Sequence, residues 1–229
     1  MPFPDLPERL REVRERIDAA VQRGGHGQRV TVVAVTKTHG PEAVTAAWES
    51  GLRDVGENRV QEALTKMDAV RVPVRWHLIG HLQRNKAKYV TRFELVHSID
   101  SPRLAVAVDE AGRDEERAVD VLVQVNVAGE TTKGGYAPEM LEAEADRLCT
   151  MRGLRVRGVM TMAPLEADER TLRTVFGGAR RAGELLRARG HEATELSMGM
   201  SNDFEIAVEE GATFVRLGTI LFGAREGTT

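Results

Sequence analysis

Short runs of apolar, largely β-branched residues recur along the chain, separated by stretches whose apolar positions fall three or four apart. The short runs fit buried strands, and the wider spacing fits amphipathic helices. The predicted strands are 30–36 (VTVVAVT), 53–56 (RDVG), 75–79 (RWHLI), 94–98 (ELVHS), 120–127 (DVLVQVNV), 155–161 (RVRGVMT), 194–198 (TELSM) and 213–217 (TFVRL). Between them lie helical stretches such as "PEAVTAAWESG", "RVQEALTKMDAV", "SPRLAVAVDEAG" and "ADERTLRTVFGGARRAGELLRARG". Pro41 near the first turn and Gly51 after the last punctuate the first of these. Ahead of the first strand, Leu10, Val13, Ile17 and Val21 share one side of an additional helix.

Eight β-then-α units with no Pro/Gly/Ser linker predict an α/β protein, a single (β/α)8 TIM barrel over residues 1–229 with an extra N-terminal helix. A doubly wound open sheet is the alternative. A hydrophobic share of 41% and a charged share of 29% are ordinary for a soluble globular chain. The net charge of -3 carries no clustered basic excess, which argues against a nucleic-acid partner. No apolar run approaches the ~18 residues of a membrane span. The N-terminus lacks the basic-then-apolar order of a secretory signal. Cys149, the single cysteine, cannot form an intrachain disulfide. A cytoplasmic location is the expectation.

Barrel enzymes build their sites at the C-terminal ends of the strands. Here those ends are rich in polar residues and glycine: Lys37, "GENRVQ", "HLIGHLQRNK", "HSID", "NVAGETTKGG", "MTMAP", "SMGMSND" and "RLGT". The segment "SMGMSND" predicts a glycine turn opening a helix at about Asn202, whose free amides suit an anion, with Ser201 adding a hydroxyl. Asn202 capping with Glu205 is the structural alternative. Gly218 permits close backbone approach beside Thr219. Loops after strands seven and eight are the recurrent phosphate site of this fold.

Lys37 ends a strand fit only for burial. A lysine held in an apolar barrel mouth loses proton affinity through desolvation, and its neutral amine can attack an aldehyde. An amine, a phosphate cradle and a ring-nitrogen partner together describe a site for pyridoxal 5'-phosphate. Arg216 could be that partner, donating to an unprotonated ring nitrogen.

The chain resembles the pyridoxal phosphate homeostasis proteins, relatives of the N-terminal barrel of alanine racemase. The matching segments are "AVTKTH", "GENRVQEA", "WHLIGHLQRNK", "HSID", "QVNVAGETTKGG", "GVMTMAP" and "LSMGMSNDFEIAVEEGATFVRLGTILFGAR". The resemblance implies pyridoxal phosphate held as a Schiff base on Lys37. It places Asn58 and Met160 by the ring, and Arg216 at the ring nitrogen. Ser201, Gly218 and Thr219 fall at the phosphate, with Gly199 and Met200 shaping that loop. Lys133 in "TTKGG" is read as a solvated loop lysine, with a part in receiving the aldehyde as the alternative. The family implies a monomer or weak dimer, with pyridoxal-phosphate-dependent apoenzymes as conceivable recipients.

Racemisation in the alanine racemase family needs a second base, a tyrosine from an additional C-terminal domain. This sequence stops at "LFGAREGTT", and neither Tyr89 nor Tyr136 matches that role by motif. The expected function is therefore binding, buffering and delivery of the cofactor, with no catalytic residues. A racemase-like enzyme is the alternative, and a barrel for another phosphorylated metabolite a third. His77 and His81 are four apart, but they straddle a strand end, and no metal site is expected. His97 is expected to cap a core layer or bond neighbouring backbone. Arg152, Arg155 and Arg157 are expected to be solvated at the start of a strand.

Overall fold

The N-terminal apolar stripe forms α1 (Leu6–Gly24), which buries Leu6, Leu10, Val13, Ile17 and Ala20. After it the computed structural model alternates strand and helix, and it describes residues 2–130 and 133–223. Thr131 and Thr132 of "TTKGG", and 224–229, which include the last two residues of "ILFGAR", lie outside the described residues.

The first half contains β1 (Thr31–Val35), α2 (Pro41–Glu49), β2 (Asp54–Glu57), α3 (Val60–Ala69), β3 (Arg75–Leu78) and β4 (Leu95–Ile99). The second half contains α4 (Pro102–Asp114), β5 (Val119–Gln124), α5 (Leu141–Leu148), β6 (Leu154–Met160) and α6 (Glu169–Ala188). It closes with β7 (Glu195–Ser197), α7 (Phe204–Glu209), β8 (Phe214–Leu217) and α8 (Thr219–Phe222). Between β3 and β4 the chain winds as a 3-10 helix over Arg84–Arg92. Neighbouring strands pair in parallel in chain order, and β8 closes onto β1 through Val33↔Arg216 and Ala34↔Leu217. The barrel expectation therefore holds, and the open sheet is excluded.

Side-chain alternation divides each strand between two environments. Val32, Ala34, Val55, Val121, Val123, Val159, Val215 and Leu217 join the large core between barrel and helices. Inside the barrel, Leu95, Leu122 and Met160 form a second, smaller cluster, with Met162 and Phe214 against it. The strands leave no spare room at Gly158, where a Cβ would sit 1.8 Å from the Glu195 carbonyl oxygen, so β6 and β7 can pair only with glycine there.

Candidate functional site at the C-terminal mouth

Thr31 lines the opposite, N-terminal mouth, while Val33 touches the inner face of Gly56, so the odd positions of β1 point inward. The ladder continues one step, with the Thr36 amide donating to the Gly56 carbonyl at 3.2 Å. Lys37 follows on the inward parity and is half-buried. The next residue, Thr38, has φ 68, a left-handed conformation uncommon for a β-branched residue. Such a turn persists only where its surroundings over-determine it.

Those surroundings come from β2 and α3. Lys66 Nζ donates to the Thr36 carbonyl at 2.8 Å, and the Thr36 hydroxyl donates to Glu57 Oε1 at 2.5 Å. The Thr38 amide donates to Glu62 Oε1 at 2.7 Å. Lys66 also ties both carboxylates together, at 2.6 Å to Glu57 and 2.9 Å to Glu62. Both neighbours of Lys37 are thus clamped. Burial pushes the Glu57 carboxyl up, against the bonds from Lys66 and Thr36, and its Oε2 has no hydrogen-bond partner among the described residues. Motif reasoning did not single out this cluster. Its readable trace is the i,i+4 pair Glu62–Lys66 on a helix face, five residues beyond a strand-end acid.

Across the mouth, Arg216 lies inside the barrel at 5% exposure. Its Nη1 donates to Ser197 Oγ at 2.7 Å and its Nη2 to the Thr161 carbonyl at 2.9 Å. It makes no ion pair among the described residues. Burial pushes the guanidinium down to about 10, opposed by the nearby charge of Asp203. Beneath it His97 Nδ1 meets Ser197 Oγ at 2.8 Å, and His97 Nε2 meets His77 Nδ1 at 2.9 Å. Of the two expectations for His97, the backbone bond is corrected: its hydrogen-bond partners are side chains on two other strands, His77 on β3 and Ser197 on β7. Burial, followed by the charges of His77 and Arg216, holds its imidazole well below the usual range.

The loop after β7 departs from the sequence expectation. Its helix opens at Phe204, not at Asn202, and Asn202 is exposed. The Asp203 carboxylate accepts the Met200 amide at 2.6 Å, while Glu205 is drawn away to Arg16 and Arg23 of α1. The Asn202–Glu205 capping pair is therefore not formed. Gly199 has φ 94, and a Cβ there would lie 2.7 Å from that of Ala207, so the turn requires glycine. Its carbonyl accepts the Arg216 amide at 3.0 Å. Ser201 Oγ lies 3.4 Å from the Ile220 amide, which brings the β7 loop against the first turn after Gly218 and Thr219. A Cβ on Gly218 would be 3.5 Å from Val35, in the strand that leads to Lys37.

Asn58 follows β2, and Gly80 packs against it so closely that a Cβ would come within 2.4 Å of the Asn58 oxygen. Met160 is buried in the inner cluster, with half-exposed Met162 two residues nearer the mouth. The selected residues therefore occupy one contiguous arc, β6–β7–β8–β1–β2. Lys133 is half-buried, pairing with Glu130 at 3.0 Å and reaching the Ala163 carbonyl at 3.0 Å, which corrects its reading as a solvated side chain. Arg155 and Arg157 pair with Asp120 and Glu192 and so are not merely solvated. His77 faces the interior and His81 faces Asp100 at 3.0 Å. Among the described residues no cluster of His, Cys, Asp or Glu could hold a metal ion, and no helix is long and apolar enough to cross a membrane.

A closed parallel barrel with the Lys37 turn and the buried Arg216 on one arc defines the class: a (β/α)8 barrel protein. The sequence profile of the family "Alanine racemase, N-terminal domain" matches residues 9–226. A pyridoxal phosphate homeostasis protein of Aquifex aeolicus is 41% identical over 223 residues, covering 96% of this chain and 98% of the relative. One from Pseudomonas aeruginosa is 40% identical over 224 residues, with 96% of each chain covered. The structure of PipY of Synechococcus elongatus with PLP bound has a TM-score of 0.85 at 37% identity, covering 95% of this chain and 100% of that one. The chain belongs to the alanine racemase N-terminal domain family and, within it, groups with the pyridoxal phosphate homeostasis proteins.

Proposed function

We propose that this single barrel domain, residues 1–229, binds pyridoxal 5'-phosphate through a Schiff base to Lys37 and buffers or delivers it without turnover. The observation that carries this reading is Arg216, a buried cation without an ion pair among the described residues, on the same arc as the clamped Lys37 turn. A buried guanidinium needs an acceptor or counter-charge, and a phosphorylated pyridine supplies both. The relatives' names and the PLP-bound PipY structure support the same ligand.

The cofactor, when bound, supplies an aldehyde that an amine captures reversibly, and a ring whose electron withdrawal grows when its nitrogen is protonated. In this reading Lys37 provides the amine. Ser201, Gly218 and Thr219 hold the phosphate on the loop that Gly199 and Met200 shape. Asn58 flanks the ring, and Met160 packs beneath it. Arg216 is donor-only, so it keeps the ring nitrogen as an acceptor and leaves the ring a weak electron sink. That favours holding the cofactor over chemistry on an amino acid.

Racemisation also requires a second base. Tyr136 is 3% exposed, and its hydroxyl donates to Glu144 at 2.5 Å. Burial and that carboxylate raise its pKa, so it is committed elsewhere as a donor. Apoenzymes that use the cofactor are the proposed recipients. A cytoplasmic monomer or weak dimer suits that role.

Borohydride reduction of protein loaded with pyridoxal 5'-phosphate, followed by peptide mapping, tests the reading. Label on the Lys37 peptide, absent from Lys37→Ala, is expected, with no racemisation of L- or D-amino acids. Label on another lysine would overturn the attachment. Turnover lost in Lys37→Ala would overturn the non-catalytic role.

A further inference from the structure

Five buried side chains from five strands or their mouth form one line of hydrogen bonds through the barrel. It starts at Asp54, which accepts from His77 Nε2 at 2.9 Å and from Arg75 at 2.7 and 2.6 Å. From His77 it passes to His97 at 2.9 Å, to Ser197 at 2.8 Å and to Arg216 at 2.7 Å. Asp54, His77, His97, Ser197 and Arg216 are each no more than 5% exposed.

With both imidazoles neutral, the two ends set the direction of every bond between them. An arginine can only donate, and a carboxylate can only accept. Burial raises the Asp54 carboxyl, but the bonds from His77 and Arg75 more than offset this and bring it down to about 2. His77 therefore carries its proton on Nε2 toward Asp54 and accepts at Nδ1 from His97. His97 then accepts at Nδ1 from the Ser197 hydroxyl, whose oxygen accepts from Arg216. With both imidazoles neutral, each donor has an acceptor. Placing a second proton on His77 would turn His97 around and leave the Ser197 hydrogen without an acceptor in this line.

We propose that His97 and Ser197, anchored through His77 on Asp54, are positioning residues that hold Arg216 as a rigid donor toward the ring nitrogen of pyridoxal phosphate. This rests on the cofactor reading given above and adds two strands, β3 and β4, to the machinery behind it. The charged groups that bear on the line are few. Asp203 faces Arg216 from the loop before α7. At the other end, His77 and Asp54 line a cavity of about 220 Å³ at the N-terminal mouth, with Arg75, Glu94, Asp120, Arg157 and Glu195.

The test uses loaded protein and reads both pyridoxal 5'-phosphate affinity and the pH midpoint of its visible absorbance. His97→Leu breaks the line, Ser197→Ala removes its link to Arg216, and His97→Gln preserves an acceptor toward Ser197 and a donor toward His77. In the first two the midpoint should rise by about one unit and affinity should fall about tenfold, the scale of one hydrogen bond to a charged group. His97→Gln should restore both. Should His97→Leu not fold, Ser197→Ala against His97→Gln makes the same comparison. Unshifted midpoints in folded variants whose Lys37 still takes the borohydride label would overturn the positioning role alone. A parent protein with no label on Lys37 would overturn the cofactor reading, and this proposal with it.

Discussion

Replacing Lys66 by methionine isolates the clamp that brackets Lys37. Glu57, wholly buried, loses the cation it pairs with, and the Thr36 carbonyl loses its 2.8 Å donor. The abandoned carboxylate can neutralise by taking a proton. From its ordinary value of 4.5, holding that proton at about pH 7 costs at most about 3.4 kcal/mol, at about 1.36 kcal/mol per unit. The orphaned carbonyl adds about 1 kcal/mol. The expected destabilisation is therefore about 4 kcal/mol near neutrality, within the range for breaking a buried pair.

The pH dependence gives the signature. A folded-state carboxyl raised above its unfolded value contributes stability below the unfolded value and loses it as pH rises toward the folded one. The Lys66→Met deficit should therefore shrink to about 1 kcal/mol by about pH 4.5, as Glu57 takes its proton in both states. Urea unfolding at the two pH values measures this directly. Adding Glu57→Gln should recover most of the loss at neutral pH, because a neutral pair no longer strands a charge. A deficit below about 1 kcal/mol at both pH values would mean that water solvates Glu57, and the clamp would not hold the turn.

Asp54→Asn should remove an acid-unfolding limb. The parent's depressed carboxyl contributes about 2 kcal/mol above pH 3.8 that is lost as pH falls through about 2, observable by circular dichroism. Gly199→Ala should cost about 2–4 kcal/mol in thermal unfolding, because it forces both a left-handed φ and a 2.7 Å contact with Ala207. Ser201→Ala and Thr219→Ala should each weaken pyridoxal 5'-phosphate by about 1–3 kcal/mol in titration calorimetry. Full affinity in both would remove the phosphate from that loop.

Strands such as β1 and β5 were legible because they are short, largely β-branched runs buried by helices on their outer face, as Val32, Ala34 and Val123 are. By contrast β3 and β7, without a β-branched residue, were legible from their place in the alternation. Lys37 was legible because an ammonium ending such a run is physically awkward. The start of α7 was not, because the acid that matters, Asp203, bonds back to Met200 while α1 claims Glu205. Neither choice is local: α1 lies nearly two hundred residues away in sequence, and only barrel closure brings it alongside α7. His77, His97 and Ser197 were missed for the same reason. They stand on β3, β4 and β7, and nothing in their spacing announces a shared interior. Their inward strand parity was the one available signal.

The two hydrogen-bonded systems bear on the same question from opposite sides of the mouth. One fixes the backbone on both sides of the amine, and the other fixes the guanidinium that would meet the ring. Ligand capture at a site so arranged has little loop ordering left to do, and affinity gained by pre-organisation needs few added contacts. Catalysis at the substrate's α-carbon would need more: a proton-accepting group on the second face and a ring able to draw electrons. Here the buried Tyr136 hydroxyl points to Glu144, and Arg216, the ring-nitrogen partner in the proposed reading, is a donor. Rigid capture combined with weak activation is what the proposed carrier role, releasing unchanged what is bound, would require.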